Sequence, residues 1–174
     1  MSNNSAAWSQ PKVVDFFDDH RVNKEDLYPS EWVYLKDQLK ENMSVLDIGA
    51  AKGGVLVEFQ RKGYKELFGV DASEACVKSM LSYGIEACVG SLEDKQWTLD
   101  PRQFDLVILS HVFEHVFNVA AGLASARRRL APGGAIYVEV PDASRYIVDG
   151  FPPYYFFDPE HINHFDLDSL RLMA

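Results

Sequence analysis

Cysteine is scarce in this chain: Cys76 and Cys88 are the only two, and no CxxC pair occurs. A disulfide-built scaffold is thereby excluded. Both residues sit among apolar neighbours and read as reduced core positions of a cytoplasmic protein. Long apolar runs are also absent, and no uncharged stretch approaches the ~18 residues of a membrane span. The opening segment MSNNSAAWSQPK has no basic start and no apolar stretch, so it does not read as a signal peptide. Basic residues are outnumbered, 17 against 26 acidic ones, for a formal net charge of -9. Such a chain repels polyphosphate backbones, and no nucleic-acid partner is expected. The basic cluster Arg127-Arg128-Arg129 reads instead as cations in the last turn of a helix, where the dipole favours them. Internal repeats and low-complexity tracts are missing as well.

What is present is an alternation of short apolar runs with helical patterns. Residues 30–41 carry Trp32, Leu35 and Leu39 at helical spacing, with Ser30 as N-cap. A strand is expected over 44–49, then a helix over 53–62 with Val55, Leu56 and Phe59 inward and Gly63 as its stop. A second strand spans 66–71. Ser73 caps the next helix, whose pairs Cys76/Met80 and Val77/Leu81 lie four apart. Residues 85–89 form a third strand. The nearly continuous apolar run 104–109 predicts a strand buried on both faces. Asn118 starts a helix with Leu123, Ala126 and Leu130 as its inner stripe, ended by Pro132-Gly133-Gly134. A fifth strand covers 135–140, a loop rich in aromatics covers 141–165, and 167–173 begins one more helix.

Strand–helix alternation of this kind predicts a doubly wound, mostly parallel α/β sheet with helices on both faces. Ligands in such sheets bind beyond the carboxyl ends of the strands. The informative residues are therefore those that follow each strand. After the first strand, Asp47-Ile48-Gly49-Ala50-Ala51-Lys52-Gly53-Gly54 combines small residues with the start of a helix, which lets a ligand approach the backbone. Gly49-x-Ala51-x-x-Gly54 is a degraded dinucleotide fingerprint. Asp47 argues against that ligand, because a carboxylate there opposes an anionic pyrophosphate. It suits a ligand bearing an ammonium and a sulfonium, as S-adenosylmethionine does. Asp71 closes the second strand and can accept from ribose hydroxyls of any adenosine cofactor.

At these residues the sequence resembles a class I S-adenosylmethionine-dependent methyltransferase of the small-molecule subgroup. VLDIGAAKGG resembles the family's first motif, and Phe68-Gly69-Val70-Asp71 the second. FDLVILSHVFEHV, residues 104–116, is similar to the fourth-strand motif, and Leu130-Ala131-Pro132-Gly133-Gly134 to the LxPGG turn before the fifth strand. The likeness runs from about residue 44 to 141. It implies a Rossmann-like methyltransferase fold with S-adenosylmethionine as donor and S-adenosylhomocysteine as product. Asp47 and the backbone of Gly49, Ala50, Ala51 and Gly53 would hold the methionine part. Asp71 would hold the ribose, and Ala72 would lie against the adenine. Ser91 and Leu92 follow the third strand, with Ser91 where the family often has an acid. Ala51 stands where the family usually has glycine. The resemblance also implies that the last two strands of the fold are missing, which would leave a sheet edge for a second copy or a partner chain to cover.

Two histidine clusters remain. His111-x-x-Glu114-His115 matches a zinc-protease spacing, but it follows a buried strand, so Ser110 and His111 are expected to line the cofactor pocket and no metal is expected. Glu114 and His115 would face the substrate side or brace the loop. Asp158-Pro159-Glu160-His161-Ile162-Asn163-His164-Phe165 resembles the family's EHxxxF segment. His161, then His115, are the expected general bases. The aromatic stretch 146–157 either lids a substrate pocket or packs in the core. One methyltransferase-like domain over 1–174 is expected. It comprises an N-terminal tail and helix over 1–28, a cofactor-binding core over 44–141, and a substrate-side loop and terminal helix over 142–174. The expected activity is methyl transfer to an O, N or C atom of a small molecule. The rivals are a cofactor-binding but inactive scaffold and a nicotinamide-dependent oxidoreductase.

Overall fold

The computed structural model describes Leu35, residues 39–94, Trp97, and residues 102–146 and 159–173. Strands and helices alternate: β1 (Val45–Ile48), α1 (Gly54–Arg61), β2 (Leu67–Asp71), α2 (Glu74–Ser82), β3 (Glu86–Val89), β4 (Phe104–Ser110), α3 (Val119–Arg128), β5 (Leu130–Glu139) and α4 (Leu167–Met173). The sheet order is β3-β2-β1-β4-β5, and every neighbouring pair is parallel. Connections run one way from β1 to β3 and the other way from β4 to β5. The reversal falls between β1 and β4, so the crevice for a ligand opens beyond their carboxyl ends.

Period-two alternation divides the strands between two apolar layers. Leu46, Ile48, Val107 and Leu109 join Phe113 and Ala126 on one face, with Leu123 of α3 and Leu170 of α4 packed against them. Val45, Leu106 and Ile108 join Leu56, Phe59, Val77 and Met80 of α1 and α2 on the other. Each such side chain contributes on the order of 1.5–3 kcal/mol by leaving water. Gly69 in β2 makes the second layer close: a methyl placed there would overlap Met80 Sδ and lie 3.2 Å from Leu56 Cδ1. At the opposite end of the sheet, Arg102 joins strands by bonding Glu66 at 2.9 Å and Glu86 at 3.0 Å, over the ring of Phe104. Two of the expected caps are in place, since Ser73 Oγ accepts from Cys76 N and Asn118 Oδ1 from Ala121 N; the third, Ser30, lies outside the described residues.

Two local expectations need correction, and the degree of burial at two further positions goes beyond what the sequence indicated. Pro132-Gly133-Gly134 does not end α3, which stops at Arg128; these residues lie inside β5. Phe104 pairs with Leu130 and Leu106 with Ala135, so three extra residues bulge from β5. Gly133 takes φ 79°, and a methyl on Gly134 would meet the backbone oxygen of Asp105 at 2.8 Å. Leu130 is accordingly a strand residue, not part of a helical stripe. Leu81 faces outward, 52% exposed, although Val77 is buried. Arg127 and Arg128 stand in the last turn of α3 as expected, and Arg129 is its C-cap; Arg129 is moreover 3% exposed, donates to Ser125, and stacks 3.5 Å over Trp97. Trp32, most of the helix over 30–41, Asp158 and all of the aromatic stretch except Tyr146 lie outside the described residues.

Candidate active site

The loop after β1 is tied down through its own N–H groups. Gly49 N and Ala50 N donate to Val70 O at 2.8 and 3.1 Å, Gly53 N donates to Ala50 O at 2.8 Å, and Ala51 N donates to Asp71 Oδ2 at 2.8 Å. Four donors that an anionic pyrophosphate would need are therefore occupied. Gly49 has φ 75°, and a methyl on it would lie 2.8 Å from Val112 Cγ2, so its smallness serves packing as well as ligand approach. Ala51 is held at φ 47°, a region that costs a residue with a Cβ about 1–2 kcal/mol. Asp47 is 3% exposed on β1, between Gly69 of β2 and Ile108 of β4.

Asp71 joins this loop to the next. Its Oδ2 accepts from Ala51 N and its Oδ1 from Ser73 N at 2.9 Å. A carboxylate oxygen has more than one lone pair, so these two bonds alone do not exhaust its capacity to accept. Ala72 follows it, partly exposed. Ser91 N donates to Asp94 Oδ2 at 2.7 Å, and Ser91 O accepts from Trp97 Nε1 at 2.9 Å. The Leu92 side chain belongs to the core, packed over Gly122 with Phe113. Asp47, the glycine loop and Asp71 thus meet at one end of the sheet; Leu92 turns its side chain away.

The end of β4 carries a cluster of polar and titratable groups. Ser110 Oγ donates to Glu139 Oε2 at 3.0 Å, and Tyr137 OH reaches the same oxygen at 3.2 Å. Glu139 escaped sequence reasoning; the one available signal was an acid closing an apolar strand. His111 comes next, at φ 54°, with its N donating to Glu139 O at 2.8 Å. Its Nδ1 lies 3.1 Å from Glu114 Oε1; the His111 side chain is 41% exposed and that of Glu114 only 1%. The 3-10 turn Phe113–His115 makes this contact. Being one turn long, it cannot display His111 and His115 on one helical face as a zinc protease does.

Asn163 fixes the second histidine segment against this turn. Its Nδ2 donates to Phe113 O at 3.0 Å and Val116 O at 2.6 Å, and its N donates to Glu114 O at 3.0 Å. His115 and His161 are thereby brought edge to face, ring centroids 4.8 Å apart. His115 Nδ1 lies 2.9 Å from Glu160 O. His164 is separate, with Nδ1 3.2 Å from Tyr146 OH. Burial, then the charges of Glu114 and Asp142, raise the Tyr146 pKa above that of free tyrosine, so its hydroxyl stays protonated.

The parallel order with its reversal beside β1, the glycine loop and the acid closing β2 define a doubly wound α/β domain of the Rossmann-like type. Residues 22–174 match the family model of the methyltransferase domain, and the chain belongs to that family. It is 24% identical over 127 residues to the ubiquinone biosynthesis O-methyltransferase of Rickettsia bellii, covering 66% of this chain and 49% of that protein. The chain spans about half the length of the curated relatives it matches. Among solved structures, a SAM-dependent methyltransferase of Thermotoga maritima superposes with TM-score 0.63 at 20% identity, covering 98% of this chain and 73% of that one. The plantazolicin methyltransferase BpumL, in complex with SAH, gives TM-score 0.68 at 18% identity, covering 97% and 71%. These likenesses show the fold, a Rossmann-like α/β sheet. No described helix is long and apolar enough to cross a membrane.

Proposed function

We propose that the chain transfers a methyl group from S-adenosylmethionine to a hydroxyl of a small molecule, with His111 as the general base. The observation that carries this reading is the contact of His111 Nδ1 with the buried Glu114 carboxylate at the sheet's switch point. An ionised carboxylate only accepts, so Nδ1 carries the hydrogen and Nε2 keeps its lone pair. The left-handed backbone of His111 is strain of the kind that collects at functional sites. Of the bases expected from sequence, His115 stands farther from the same Glu114 oxygen, its Nε2 at 4.0 Å, and His161 packs against the His115 ring. Ser110, bonded to Glu139, braces the same strand end.

Asp47 and the carbonyls of residues 49–53 would hold the cationic methionine part, and Asp71 the ribose. The occupied N–H groups of the loop support a cationic ligand over a pyrophosphate, and hence over a nicotinamide dinucleotide. Ala72, Ser91 and Leu92 would border the adenine, Leu92 through its backbone alone. When bound, S-adenosylmethionine supplies an electrophilic methyl group. The protein's part is to align the acceptor, exclude water, and take the hydroxyl proton at His111 Nε2. Two buried free cysteines, Cys76 and Cys88, suit a cytoplasmic setting.

Calorimetric titration with S-adenosylhomocysteine, with NADH as control, tests the cofactor. Saturable binding of the first alone is expected; binding of NADH instead would overturn the reading. Replacing His111→Asn keeps a residue that tolerates the left-handed backbone. It should lower kcat about 10²–10⁴-fold, far more than it weakens S-adenosylhomocysteine binding. An unchanged kcat would remove His111 from the chemistry.

A further inference from the structure

We infer that Glu114, His115 and His161 form a binding site for one divalent zinc-like metal ion. One ligand atom from each lies within 4.8 Å of the others. Two of the three residues carry a buried polar atom without a hydrogen-bond partner among the described residues. Glu114 is 1% exposed, its Oε1 lies 3.1 Å from His111 Nδ1, and its Oε2 has no hydrogen-bond partner among the described residues. His161 Nδ1 is buried and likewise without one. A carboxylate oxygen buried without a donor is costly, and a cation removes that cost.

The tautomer of His115 points the same way. A carbonyl oxygen can only accept, so the 2.9 Å contact to Glu160 O makes Nδ1 the protonated nitrogen. Neutral His115 then carries its lone pair at Nε2, the atom 4.0 Å from Glu114 Oε1. A ring N–H donated to a backbone carbonyl, with the other nitrogen turned to the site, is the arrangement that orients metal-bound histidines. Two imidazoles and a carboxylate suit zinc and its first-row neighbours rather than magnesium or calcium. Three protein ligands leave the fourth tetrahedral position to water. Ligand atoms about 2.0–2.1 Å from zinc stand about 3.3 Å apart, so binding closes the cluster by up to about 1.5 Å. The ion would join the turn after β4 to the segment held by Asn163, stabilising the part of the chain that presents His111.

The test is titration of the chelator-treated full chain with CoCl2 and ZnCl2. One equivalent of Co2+ with the visible spectrum of a four-coordinate site is expected, displaced by Zn2+, together with a rise in Tm on adding Zn2+. Glu114→Gln and His161→Ala should each weaken binding at least tenfold while S-adenosylhomocysteine binding shows that the variants are folded. Where a variant does not fold, the ring NMR signals of the wild-type chain decide: Zn2+ should shift those of His115 and His161 and spare His164. Absence of saturable Co2+ or Zn2+ binding in a wild-type chain that binds S-adenosylhomocysteine would overturn the metal site and leave the methyltransferase reading intact. So would equal binding in the variants, or unmoved His115 and His161 signals.

Discussion

Ala51 and Asp105 show how single residues set the terms of this site. Ala51 sits at φ 47° with its N–H on Asp71, so its methyl is strained where glycine would not be. Ala51→Gly relieves that strain but loosens the unfolded chain by about 0.4–1 kcal/mol. The net expected gain is about 0.5 kcal/mol, read as a small rise in Tm by calorimetry, with tighter S-adenosylhomocysteine binding. Asp105 anchors β4 to the start of β1 by accepting from Ser44 N at 2.9 Å and Ser44 Oγ at 2.8 Å. The backbone bond from Ser44, then its hydroxyl, hold the Asp105 carboxyl below its ordinary value. A lowered folded pKa means stability that is fully present above about pH 4 and lost as pH falls through the lower folded value. Asp105→Asn should therefore cost about 1 kcal/mol in urea melts at neutral pH. The gap to the wild-type chain should narrow in acid; a gap that persists unchanged there would show that the charge is not the cause.

Between elements, glycine positions decide how closely layers meet. Gly69 of β2 faces Met80 of α2, and a Cβ there has no room beside Sδ. Gly69→Ala should destabilise by about 1–3 kcal/mol as Met80 moves, measured as a lower urea midpoint at constant slope. An unchanged midpoint would mean that Met80 swings aside freely. The bulge in β5 follows the same logic with a different outcome for sequence reading. Pro-Gly-Gly looks like a break, yet Gly134 lies on the backbone of Asp105 and stays in the strand. Local composition could not show this, because the deciding neighbour is about thirty residues away. The caps at Ser73 and Asn118 are contacts within one turn, and the sequence showed both.

For the molecule as a whole, the sheet is a set of long-range pairings, and the site exists because of their order. β1 and β4 become neighbours although β2 and β3 intervene in the chain, and Val45 pairs with Leu106. That adjacency brings the loop after β1 beside His111 and sets Val112 against Gly49. The sequence by itself determined the alternation of elements, the doubly wound class, the glycine loop and the two carboxylates that close or line the strands. Each of these follows from period, punctuation or a short motif. Only the tertiary structure decided which histidine meets Glu114, that Arg129 is buried on Trp97, and that His161 faces His115. Those contacts span up to 46 residues of chain between His115 and His161. They depend on strand order and on the three bonds of Asn163, which no local pattern encodes.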